Sequence, residues 1–108
     1  MKTIVISAGR NIGAQPMGDD RWSDLRHQIG ATLADSGATI FTRDALGSGE
    51  WTDASGSLIR EESVTYVGAI EDAVLDALSR NISRIASQFN QDAIALIVGD
   101  THLIERTK

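Results

Sequence analysis

"TIVISAGRNIGAQPMGDDRW", residues 3–22, carries an apolar run straight into a glycine-rich turn and then into the start of a patterned helix. Ile4, Val5 and Ile6 are apolar on successive positions, so this short strand is apolar on both faces and belongs at the centre of its sheet. Asp19 and Asp20 suit the positive end of a helix dipole and open the helix that follows. Trp22, Leu25, Ile29 and Leu33 recur at helical spacing, and Gly37 supplies the stop. A strand passing into a helix through a loop is half of a βαβ unit.

Working outward, residues 38–43 hold β-branched and aromatic residues and read as a second strand. A polar stretch, "DALGSGEWTDASGS" (residues 44–57), reads as the connection to a third strand over residues 58–68. Val74, Leu78, Ile82, Ile85 and Phe89 form one stripe of a second helix begun by Glu71 and Asp72, and "DAIALIVG" closes the chain as a fourth strand. The order is βαββαβ. Right-handed crossovers then favour an α+β, ferredoxin-like fold: a four-stranded antiparallel sheet, first and third strands central, with two helices on one face. The other face stays uncovered, so a homodimer or higher oligomer is expected.

With 108 residues, 42% hydrophobic and 23% charged, the chain is one globular domain. A net charge of −5 disfavours nucleic-acid polymers as partners, because neutralising phosphates needs an excess of Lys and Arg. The absence of cysteine excludes disulfides and thiolate chemistry, and two distant histidines make no metal motif. No cofactor is implied. The apolar runs are too short for a signal peptide or a membrane span, so the expected location is cytoplasmic.

The topology brings candidate residues to one edge of the sheet. Arg10 and Asn11 follow the first strand, Arg43 ends the second, Trp51 sits in the connection, and Arg60, Glu61 and Glu62 begin the third. The Asn90–Gln91 turn reaches the same edge, whereas His102 belongs to the opposite one. Gly9, Gly13 and Gly18 match neither the P-loop nor the dinucleotide fingerprint. The loop is then either an anion cradle near Arg10, where helix-start N–H groups are free, or a plain connection. Trp22 and Tyr66 read as core and His27 as surface. Trp51 has no apolar neighbours and is suited to stacking on a ligand or burial in a partner subunit, the alternative being that it folds onto its own sheet.

Three stretches, "GEW" (Gly49–Trp51), "LIREES" (Leu58–Ser63) and "FNQDAI" (Phe89–Ile94), resemble a family of small uncharacterised bacterial and phage proteins. That resemblance implies a ferredoxin-like α+β domain and no established activity. The chain is also similar in style to phage-encoded proteins that capture nucleotide signals in oligomeric pockets.

The sequence therefore leads to a non-enzymatic protein that captures a small anionic, nucleotide-like ligand. Arg10, Arg43 and Arg60 hold phosphate or carboxylate, Asn11 hydrogen-bonds, Trp51 stacks, and Glu62 borders the site. Two alternatives stay open. One is a small isomerase, lyase or hydrolase using Glu61 or Glu62 as base in the same cleft. The other is a structural oligomerisation module.

Overall fold

The computed structural model describes residues 1–107. Its main elements are β1 (Lys2–Gly9), α1 (Asp19–Asp35), β2 (Thr39–Thr52), β3 (Leu58–Ile70), α2 (Leu75–Gln88) and β4 (Ala95–Asp100). They form an α+β domain in which one four-stranded sheet, ordered β2-β3-β1-β4, is antiparallel at every pairing. β1 and β3 are central, as their apolar character requires, and the order is consistent with a ferredoxin-like arrangement.

Alternation along the strands decides which face is core. Ile4, Ile6 and Ala8 of β1 and Val64, Tyr66 and Ile70 of β3 point to one side and are buried. Against them lie Trp22, Leu25, Ile29 and Leu33 of α1 and Leu78, Ile82 and Ile85 of α2. Each of these large side chains, once taken from water, contributes about 1.5–3 kcal/mol of transfer free energy. The stripes read from helical spacing are the stripes that pack.

The other face carries Val5, Ser7, Thr65, Val67, Ala95 and Ile97 in register across three strands. No helix covers it, and Ile97 is 60% exposed. Among the registered positions of this face Glu61 is the single charged side chain.

One element departs from the expected boundaries. The stretch read as a polar connection is strand: β2 continues through Trp51 to Thr52 and pairs with β3 down to Leu58. Gly47 and Gly49 lie beside Ser63 in this pairing, with room for a Cβ at ordinary contact distance, 3.8 and 3.7 Å from that side chain. The turn is only residues 53–57, closed by Asp53, whose Oδ1 accepts the Ser55 and Ser57 N–H groups, both at 2.9 Å. β1 ends opposite Ser63, so the hairpin beyond that point is a two-stranded arm, and the molecule measures 53 × 26 × 24 Å.

Candidate functional site

The arm, the end of β1 and the turn before β4 meet around one cleft. Trp51 pairs with Ile59 and Gly49 with Glu61, so indole and carboxylate share the uncovered face of the sheet, two register steps apart. Asn11 and Gly13 come from the loop after β1, and Asn90–Ala93 from the turn after α2; together they enclose about 320 Å³. The turn is set by Asn90, which adopts the left-handed conformation at φ 54°, and by the Gln91 N–H returning to the Ala86 carbonyl at 2.9 Å. Gln91 then donates its side-chain amide to the Asn11 carbonyl at 2.9 Å, tying turn to loop.

Glu61 is held from the other side of the same residue. Its Oε2 accepts the Asn11 N–H at 2.7 Å, and its carboxylate lies directly over Gly9. A side chain at position 9 would occupy the space the carboxylate fills, so glycine there is a requirement of the site. Alternation along β3 sends Glu62 the opposite way, onto Arg10.

Arg10 spends its donors on the protein. Nε donates to the Met17 carbonyl at 2.7 Å, Nη1 to Glu62 at 2.9 Å and Nη2 to Asp19 at 2.6 Å. Asp19 first, then Glu62, push the guanidinium's pKa above its already high ordinary value. The arginine fastens the glycine loop to the start of α1 and to β3. It borders an adjoining cavity of about 420 Å³ with Arg60 and Glu62, but Arg60 is itself paired with Glu50 at 3.0 Å. The charged side chains lining the Trp51 cleft are Glu61 and Asp92, and neither has an ion-pair partner among the described residues. The surroundings are acidic, whereas an anion needs the reverse.

The expected residues thus divide. Asn11 and Trp51 meet in the cleft, while Arg10, Arg60 and Glu62 surround the adjoining cavity, with Asn11 and Glu61 common to both. Arg43 stands apart, eight residues before Trp51 on the same strand, which is about 26 Å at the rise of an extended chain. It lines a third cavity beside α1. His102 follows β4 at the opposite edge, next to the strand end where Lys2 pairs with Asp100 at 2.8 Å. Asp92 was not singled out from the sequence; its only signal is its place in the Asn90–Gln91 turn. No cluster of acids and histidines able to hold a metal occurs among the described residues. Nor is any helix among them long and apolar enough to cross a membrane.

Known structures share the fold. A phage SAM lyase in complex with S-methyl-5'-thioadenosine superposes with a TM-score of 0.64 at 17% identity, covering 92% of this chain and 80% of the lyase. The same kind of enzyme in its apo state gives 0.63 at 18% identity, covering 97% and 89%. A DUF3240 family protein from Shewanella baltica gives 0.53 at 8% identity over 99% and 97%. At these identities the likeness is one of fold. No family model and no curated protein matches the chain.

Proposed function

We propose that this protein is a ferredoxin-like βαββαβ domain that binds a nucleoside carrying a positive charge in the cleft between Trp51 and Glu61. The observation that carries the reading is the pairing, on one cleft, of a 43% exposed indole with a carboxylate oriented by the Asn11 N–H. An aromatic face stacks on a base irrespective of its identity, at about 1–3 kcal/mol per base. A fixed carboxylate with no cationic partner favours a cation beside that base. The nucleotide-like part of the sequence reading is kept, and the sign of the ligand's charge is reversed. Arg10 and Arg60, the groups meant to hold an anion, are already paired.

A sulfonium nucleoside has both features: the phage lyase of similar fold is named for S-adenosylmethionine, which is one, and its structure holds the neutral thioether S-methyl-5'-thioadenosine. That likeness supports the ligand class and, more weakly, the lyase alternative. In the enzymatic version Glu61 removes a proton from the carbon next to the S–CH2 group. The electrons form a C=C bond, the C–S bond breaks, and the sulfur leaves as a neutral thioether. The step requires a general base, and the carboxylate is the group this cleft offers for it.

Self-association belongs to the same reading. Trp51 and Glu61 lie on the uncovered sheet face, whose other registered positions are uncharged, so a second copy packed there would roof the cleft. Light scattering at micromolar concentration is expected to give a multiple of the 11.6 kDa chain mass.

Calorimetric titration tests the ligand. S-adenosylmethionine is expected to bind more tightly than neutral S-methyl-5'-thioadenosine, and both more tightly than ATP. Trp51→Ala should weaken both adenosyl ligands, whereas Glu61→Gln should remove the preference for the cation. Equal affinity for all three compounds, or none, overturns the reading. Release of S-methyl-5'-thioadenosine on incubation, lost in Glu61→Gln, selects the lyase over the binding protein.

A further inference from the structure

Arg43 lies away from the Trp51 cleft, and among the described residues it has no carboxylate partner. It lines a cavity of about 320 Å³ on the helix side of the sheet, between α1 and β2, at the lower end of the range for small-molecule sites. The cavity exists because β2 is irregular there. Register shifts fall between Ile40 and Thr42 and between Thr42 and Ala45, and Asp44 adopts the left-handed conformation at φ 51°. Such a conformation is costly for a residue with a side chain. It turns the Asp44 carboxylate inward, 3.1 Å from Arg26 Nη1 and 3.4 Å from the Tyr66 hydroxyl.

The two ends of this cavity differ in chemistry. One wall is α1, where Gly30, Ala31 and Ala34 present nothing larger than a methyl group. At Gly30 the helix backbone packs close to the buried Tyr66 ring, and an added Cβ would sit 3.6 Å from Tyr66 Cε1. The other end holds Arg26, Arg43 and Asp44, two positive charges against one negative, with Ser23 and His27 of α1 completing the polar lining. Arg26 Nε is buried with no hydrogen-bond partner, so its pairing with Asp44 leaves the guanidinium incompletely satisfied. Burial first and Asp44 second raise the pKa of the Tyr66 phenol, while Arg26 and Arg43 both lower it. The charge of Arg43 is therefore felt at the cavity floor.

We propose that this cavity binds a small organic monocarboxylate, with the carboxylate on Arg43 and a flat apolar body against the Gly30–Ala31–Ala34 wall. One surplus positive charge matches one negative charge. A dianion would face Asp44 with charge left over, and a neutral ligand would forgo the ion pair with the exposed Arg43 guanidinium. The planar guanidinium suits the two oxygens of a carboxylate. The site is separate from the Trp51 cleft and does not depend on the function proposed for it.

Amide-shift mapping by NMR on the whole chain provides the test, with benzoate as the probe, benzamide as its neutral analogue and inorganic phosphate as the dianion. Benzoate is expected to shift saturably the amides of α1 residues 23–34 and of Arg43 and Asp44, leaving the Trp51 indole signal in place. Benzamide should bind about tenfold or more weakly, and Arg43→Gln should cost benzoate a similar factor, the scale of a charge-assisted hydrogen bond. Ala31→Leu, a change on an exposed helix position, should fill the space and abolish binding while the fold persists. No saturable shift with benzoate overturns the proposal, as does equal binding of benzamide or an unaffected Arg43→Gln. Phosphate binding more tightly than benzoate overturns the carboxylate assignment.

Discussion

Replacing Gly9 by alanine tests whether the Glu61 carboxylate is placed by the strand beneath it. A Cβ at position 9 would overlap that carboxylate. The obstacle is the far end of a flexible side chain, so the backbone can stay where it is and Glu61 must swing away. In doing so it gives up the 2.7 Å bond from the Asn11 N–H. A hydrogen bond to a charged group contributes about 1.5–3 kcal/mol, and the low end applies here because Glu61 is only half-buried and water replaces part of it. Against this, alanine lowers the entropy of the unfolded chain and returns about 0.4–1 kcal/mol where the backbone accepts it. Position 9 accepts it, since it is regular strand and its φ is not positive.

The net expectation for Gly9→Ala is a loss of about 0.5–1 kcal/mol, or a fall in Tm of roughly 2–8 °C for a domain of this size. The informative quantity is the sign in a second background. With Glu61→Ala already present there is nothing for the new methyl group to displace, so Gly9→Ala should stabilise by about 0.4–1 kcal/mol. Urea denaturation of the four proteins of this cycle gives the coupling directly. A Gly9→Ala effect of the same sign and size in both backgrounds would refute the idea that glycine is there for Glu61. Ligand titration gives a second readout: Gly9→Ala should lose the preference for a cationic nucleoside as Glu61→Gln does.

Removing Arg10 should loosen the glycine loop rather than empty a binding site. Arg10→Gln is expected to speed amide hydrogen exchange over residues 11–18, and Arg10→Lys should not restore it, because a lysine cannot reach Met17, Glu62 and Asp19 together; unchanged exchange would contradict this. Ser55 first, with help from the Ser57 N–H, holds the Asp53 carboxyl below its ordinary pKa of 3.8. A depressed carboxyl pKa stabilises above the unfolded value and ceases to do so as pH falls through the folded one. The deficit in Tm of Asp53→Asn relative to the parent should therefore be present at neutral pH and close as the pH is lowered below 3.8. Tyr66, the single tyrosine, has its pKa pushed up to about 12, first by burial and then by Asp44. The raised value makes the folded state lose stability as pH rises from 10 towards 12, because the unfolded chain ionises first. Phenolate absorbance should show the late titration, and Tyr66→Phe should remove the alkaline loss while costing about 0.5–1.5 kcal/mol for the hydroxyl's 2.7 Å bond to the Arg26 carbonyl.

Where side-chain size alternates with burial, the sequence and the structure agree, and the case of β2 shows what that agreement depends on. The helices were legible because Trp22, Leu25, Ile29 and Leu33, like Leu78, Ile82 and Ile85, are large on the buried stripe and polar off it. Alternation also runs through residues 45–52, but its uncovered-face positions are Ala45, Gly47 and Gly49 before Trp51. Small residues on an uncovered face look like loop, so the strand disguised itself as a connection. The continued pairing places Trp51 on the two-stranded arm and Arg43 well before it on the same strand. The arginines illustrate a different kind of gap. Their arrival at one edge of the sheet could be read from topology, yet whether a guanidinium is free depends on tertiary partners such as Glu62 and Glu50, which sequence spacing does not specify. Glu61 marks the converse. Its neighbour Glu62 is neutralised by Arg10, and strand alternation alone turns Glu61 to the other face, where an N–H orients it and no cation among the described residues meets it. The two-residue period of β3 thus separates two adjacent carboxylates into a structural one and one available to a ligand.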